Sequence, residues 1–223
     1  MRKRMVVAVV LAVLLAASAY AQTADFFELA KTGTPQSVQA AIDSGADIKA
    51  RDSLYGMNAL MNAARSNPNP EVITALLKAG ADLKTQSNEG FTALMYAARK
   101  NQNPEVIATL LKAGADIEAR DIAKGSTALM YAALYNQNPE VLSTLLKAGA
   151  DVKAQDREGM TALMYAAWNN PYPDGPEVVT MLLKAGADAK VKNDNGQTAL
   201  DLAQNNDFLK STDAYRQLQE ASR

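Results

Sequence analysis

The sequence predicts an all-α repeat solenoid of stacked helix–turn–helix units joined by short hairpins or turns. Two markers that recur in step predict it. Gly-Ala-Asp begins at Gly45, Gly80, Gly114, Gly149 and Gly186, at spacings of 35, 34, 35 and 37 residues. Asn58-Ala59-Leu60, and then Thr-Ala-Leu from Thr92, Thr127, Thr161 and Thr198, keeps the same register. Self-similarity at this period marks a solenoid, whose units bury their apolar faces only against one another.

Each element of the unit has a local cause. Thr92 can cap a first helix in which Leu94, Ala97 and Ala98 recur at helical spacing, with alanines small enough for close approach of a neighbour. That helix should stop near Lys100 to Gln102. Asn103-Pro104-Glu105 then restarts the chain: Asn as N-cap, Pro where its missing N–H costs nothing, and Glu at the positive helix end. Asn69-Pro70-Glu71 and Asn138-Pro139-Glu140 repeat the device. The second helix carries Val106, Ile107, Leu110 and Leu111 and ends at Gly114, which can enter the left-handed region. A turn around Gly90, matched by Gly56, Gly125, Gly159 and Gly196, leads to the next unit.

These residues carry a family resemblance. Thr92-Ala93-Leu94-Met95-Tyr96-Ala97-Ala98 is similar to the T-P-L-H-x-A-A of ankyrin repeats, and Leu110-Leu111-Lys112-Ala113-Gly114-Ala115-Asp116 to their L-L-x-x-G-A-D. Alanine stands for the usual proline and methionine for the usual histidine. Met61, Met95, Met130 and Met164 are therefore expected to replace a polar brace between repeats by packing. The resemblance implies stacked ankyrin repeats, with an abbreviated first repeat over 25–47, repeats to about 188 and a C-terminal capping unit over about 189–223.

The N-terminus reads as a separate unit. Arg2, Lys3 and Arg4 precede an apolar run from Met5 to Ala17, and Ala19-Tyr20-Ala21 forms a small-x-small site before Gln22. This predicts a signal peptide over 1–21 and a mature domain over 22–223, exported to the periplasm or secreted. An uncleaved anchor, which would make the chain a membrane-held adaptor, is disfavoured because the run falls short of the ~20 residues of a bilayer span. No membrane association is expected after cleavage, and a monomer is expected. Removing the three leading cations changes the formal charge from −1 to −4, which leaves no basic field for nucleic acid.

The chain contains no histidine and no cysteine. Catalysis by Cys–His or Ser–His pairs and metal binding through thiolate or imidazole are thereby excluded, and stability must come from packing without disulfides. Carboxylates remain, but Asp47, Asp82, Asp116, Asp151 and Asp188 recur with the Gly-Ala-Asp turn and read as turn formers. The expectation is a non-catalytic chain with no metal or cofactor.

Partner recognition should sit where the repeats differ within a constant frame. The pair after each double alanine is Arg65-Ser66, Arg99-Lys100, Leu134-Tyr135, Trp168-Asn169 and Gln204-Asn205. By the ankyrin resemblance these positions line the concave face, the usual surface for gripping a protein. The candidate partner-binding residues there are Arg65, Arg99, Lys100, Leu134, Tyr135, Trp168 and Asn169. Trp168 is either a binding anchor or a cover for the enlarged turn 169–176, which carries Tyr172 and three prolines. At the hairpin tips Tyr55, Phe91, Ile122 and Met160 are expected to be exposed, the alternative being that they fold back onto the adjacent hairpin. Tyr96, Tyr131 and Tyr165 recur at one register and read as a structural ladder, and Lys78, Lys112, Lys147 and Lys184 as outward solubilising residues. The function that follows is binding of another protein. A narrower form is a periplasmic inhibitor or immunity protein directed at an enzyme.

Overall fold

The structure, a computed structural model, describes residues 22–23, 25–169 and 175–223. The predicted signal segment and Tyr172 lie outside the described residues. Among the described residues a first helix, α1, spans 25–32, and twelve follow. These are α2 (Pro35–Asp43), α3 (Ala59–Ser66), α4 (Pro70–Lys78), α5 (Ala93–Lys100), α6 (Pro104–Lys112), α7 (Ala128–Tyr135), α8 (Pro139–Lys147), α9 (Ala162–Asn169), α10 (Gly175–Lys184), α11 (Ala199–Ala203), α12 (Asp207–Lys210) and α13 (Asp213–Ala221).

The odd-numbered helices from α3 to α11 pack side by side in one row, and the even-numbered helices from α2 to α10 in a second, with α13 closing the stack against α10 and α11. Helices of the first row are buried over most of their length because they lie between two neighbours and the second row, with residues such as Arg65, Lys100 and Trp168 left exposed at their C-terminal ends. Leu60, Leu94, Leu129 and Leu163 are fully enclosed, each worth about 1.5–3 kcal/mol of apolar burial. The substituted methionines Met61, Met95, Met130 and Met164 are buried beside them. Helices of the second row bury one face only, as with Val106, Ile107 and Leu110 of α6, and leave Lys78, Lys112, Lys147 and Lys184 exposed.

The capping residues do what their positions predict. The Thr92 hydroxyl accepts from the Met95 amide, and the Oδ1 atoms of Asn69, Asn103 and Asn138 accept from the amides of Glu71, Glu105 and Glu140. The repeated Gly-Ala-Asp aspartates each accept from the amide two residues ahead, as Asp116 does from Glu118 at 3.0 Å.

The connections are turns, with no strand among the described residues. Each closes by isolated backbone bonds, such as Ser87 N to Phe91 O at 2.9 Å, which is too little pairing for a ladder. One backbone bond then links successive tips: Asn88 to Tyr55, Ile122 to Glu89, Arg157 to Lys124 and Asp194 to Glu158.

Adjacent units are also locked by buried asparagines at the end of the first helices. Asn67 Nδ2 donates to the carbonyls of Ala30 and Gly33, Asn101 Nδ2 to Ala64 and Asn67, and Asn136 Nδ2 to Ala98 and Asn101. These carbonyls lie at or beside helix C-termini, where the helix itself offers no donor.

Candidate functional site

Hairpin tips and the first-row helices enclose the depression that best gathers the sequence candidates. Its volume is about 750 Å³, and Phe91, Arg99, Ile122, Leu134, Tyr135 and Trp168 all line it. Five distant stretches of sequence meet there because each unit repeats the same turn-to-helix path one step further along the stack.

Buried acids hold the hairpin side of this groove. Asp121 accepts from the amides of Ala123, Lys124 and Ser126, and Asp156 from those of Glu158 and Met160. The tyrosine ladder ties the helices to these acids: Tyr131 Oη donates to Asp121 Oδ2 at 3.0 Å, and Tyr165 Oη to Asp156 Oδ2 at 2.6 Å. Burial, with the adjacent carboxylate next, pushes both phenols well above the ordinary tyrosine range. The hydroxyls are therefore turned to the hairpins and consumed by structure. Asp52, Ser87, Asp121, Asp156 and Asn193 share the 35, 34, 35 and 37 spacing of the glycines, a register that sequence reasoning passed over. The asparagine lock at Asn67, Asn101 and Asn136 was missed in the same way.

Arg99, near the end of α5, lines the groove on the side away from Trp168 of α9. Its guanidinium carbon lies 4.7 Å from the ring centroid of Tyr135, 5.8 Å from Phe91 and 5.9 Å from Tyr131. Phe91 packs in turn on Tyr96 and Tyr131, with centroids 5.1 and 4.7 Å apart. Stacking of this kind fixes the plane of the guanidinium.

The remaining candidates divide. Trp168, 45% exposed, and Ile122, 56% exposed, stand open on the groove. Tyr55, 49% exposed, lines with Arg65 a second depression of about 540 Å³ near α1. Arg65 and Lys100, both exposed, also border a shallow space of about 700 Å³ beside the inter-helix turns.

Two expectations of exposure are corrected. Phe91 is only 4% exposed because its ring fills the space between Tyr96 and Tyr131, and Met160 only 6% because Asp156 draws its amide inward and Asn193 Nδ2 donates to its sulfur. Both fold back beneath the hairpins. Leu134 is likewise buried, as part of the α7 core contact. Of the turn expected over 169–176, Asn169 belongs to α9 and Gly175 and Pro176 to α10, and 170–174 lie outside the described residues. Among the described residues no group of three or more acids could hold a metal ion, and no helix is long and apolar enough to cross a membrane.

Two rows of helices, a hairpin edge and an open groove define a protein-interaction solenoid. The chain belongs to the ankyrin-repeat family: the family described as ankyrin repeats (3 copies) matches residues 26–121 and 120–193. No relative was found among curated proteins. Of solved structures, 596 chains match, so the fold alone points to no particular partner. One is a chain from the complex of the Bd0816 predatory endopeptidase of Bdellovibrio bacteriovorus with immunity protein Bd3460. It is 31% identical, with a TM-score of 0.71 and coverage of 87% of this chain and 96% of that one. Another is the ankyrin repeat domain of Bcl-3, a member of the IkappaB protein family, at 31% identity and a TM-score of 0.65, covering 82% and 77%.

Proposed function

We propose that this chain is an inhibitor that binds an endopeptidase and blocks it, protecting the cell that makes both. The observation that carries the reading is the likeness to the complex of an endopeptidase with its immunity protein, at 31% identity over 87% of this chain and 96% of the other. Agreement over nearly the whole of both chains means that the two are of similar length as well as similar fold. A rigid stack suits the role, because a preformed groove loses little conformational freedom on binding.

Export belongs to the same proposal. The basic, apolar and small-x-small segments before Gln22 would deliver the protein to the compartment in which an exported endopeptidase acts. N-terminal sequencing of the protein from fractionated cells tests this step. A start at Gln22 in the soluble exported fraction supports it, and retention of residues 1–21 in the membrane fraction supports an anchored adaptor instead.

The inhibitor reading is tested by titrating the purified protein into the endopeptidases encoded in the same genome and following hydrolysis. Saturable loss of activity of at least one enzyme at equimolar protein is expected. If all of them keep full activity at excess inhibitor, the reading fails.

A further inference from the structure

We infer that the groove takes an acidic side chain of its protein partner, an aspartate or glutamate carboxylate seated on Arg99, with an apolar neighbour of that residue packed on Ile122 and Trp168. This rests on the reading that the groove binds a protein, and it specifies the chemistry of what enters.

The contrast with the hairpin arginines carries it, together with the burial of the Arg99 guanidinium against aromatic rings. Arg51 donates to the carbonyls of Gly56 and Gln86, Arg120 to those of Gly125 and Gln155, and Arg157 to those of Ile122 and Ala123. Those three staple one hairpin to the next. Arg99 makes no hydrogen bond and no ion pair among the described residues, and its Nε is buried without an acceptor. A guanidinium has five N–H donors in a planar fork matched to a carboxylate. The faces of Phe91, Tyr131 and Tyr135 support its charge and hold its plane, but they accept no hydrogen bond in the fork.

The surrounding charges leave the position open. Lys124, on the hairpin rim, is neutralised by Glu158 at 3.2 Å. Glu89, on the adjacent hairpin tip, is exposed and forms no ion pair with Arg99. The groove thus keeps one unpaired, oriented cation together with two exposed apolar side chains, Ile122 and Trp168, within a chain whose formal net charge is −1. A single cation flanked by apolar walls fits one carboxylate of a protein segment. A nucleic acid backbone would call for a row of cations.

Panning a random-peptide display library on the immobilised full chain tests the inference without any endopeptidase. Peptides with an Asp or Glu next to a large apolar residue are expected to be enriched on the wild-type protein. In a synthetic peptide of the enriched motif, Asp→Asn is expected to lower affinity about tenfold or more. The same loss is expected for R99Q with the unchanged peptide, while R99K keeps part of the preference for acid. Thermal melts of R99Q and R99K separate a binding defect from a folding one, and W168A, which leaves Arg99 in place, should relax the choice of the apolar neighbour alone. An absence of Arg99-dependent acidic enrichment, whether because no acidic motif emerges or because R99Q selects it equally, overturns the inference. Failure to inhibit any endopeptidase alongside Arg99-dependent selection of acids would count against the inhibitor reading only.

Discussion

Asn101 Nδ2 donates to the carbonyl of Asn67 at 2.8 Å, so that one asparagine of the lock is bonded to the backbone of the next. The same amide reaches Ala64 O at 2.9 Å, and its Oδ1 accepts from the Asn103 amide at 3.0 Å. Asn101→Ala therefore strands two carbonyls and one amide at a buried boundary, a loss of about 3 kcal/mol or more when each unmet group costs ~1–3. Urea denaturation measures it. A change within about 0.5 kcal/mol, the range of a neutral surface substitution, would show that the lock contributes nothing.

Tyr165 and Asp156 supply a test by pH. Burial and the carboxylate raise the Tyr165 phenol in the folded state above its unfolded value of about 10. A raised folded value means that the unfolded chain releases its proton first, so this contribution is complete below about pH 10 and declines as pH rises beyond it. Tyr165→Phe should cost about 1–2 kcal/mol at neutral pH through loss of the 2.6 Å bond. It should also flatten the alkaline fall in stability, read from melting curves across that range. An unchanged alkaline slope in the variant would refute the assignment.

Two glycines with the same backbone hand should differ in what they tolerate. A Cβ on Gly90, at φ +81°, would lie 2.5 Å from the Ile122 amide nitrogen, whereas at Gly114, at φ +93°, it would meet nothing within 4 Å. Gly114→Ala is expected to cost only left-handed strain, roughly 1 kcal/mol. Gly90→Ala adds a clash with the following hairpin and should cost clearly more. Equal losses in chemical denaturation would remove the hairpin contact from the account.

Trp168 is the only tryptophan, and its exposure on the groove makes it a reporter as well as a candidate anchor. Its fluorescence should be quenched by acrylamide in the free protein and protected in the complex with an inhibited endopeptidase. Trp168→Ala should weaken that complex by about 2 kcal/mol or more, the size of a binding hot spot, while stability changes by less than about 1 kcal/mol. A complex of unchanged affinity places the anchor elsewhere.

The sequence by itself determined the repeat, its two helices, their caps and the ten turn glycines, all of which adopt positive φ. These features are local: a cap, a glycine or an apolar stripe acts within a few residues of itself and leaves its mark at a regular spacing. It also identified Trp168 and Ile122 as exposed and the tyrosines as structural. Only the tertiary structure decided which hairpin side chains turn inward, because Phe91 is buried by Tyr131 of the next unit and Met160 by Asn193. It decided equally that Arg99 lacks the acceptors found by Arg51, Arg120 and Arg157. Register along the chain already sets Arg99, at the end of a first helix, apart from Arg51, Arg120 and Arg157 in the hairpin segments. What the sequence leaves open is the surroundings of each, and the stack presents carbonyl oxygens to those three and aromatic faces to Arg99.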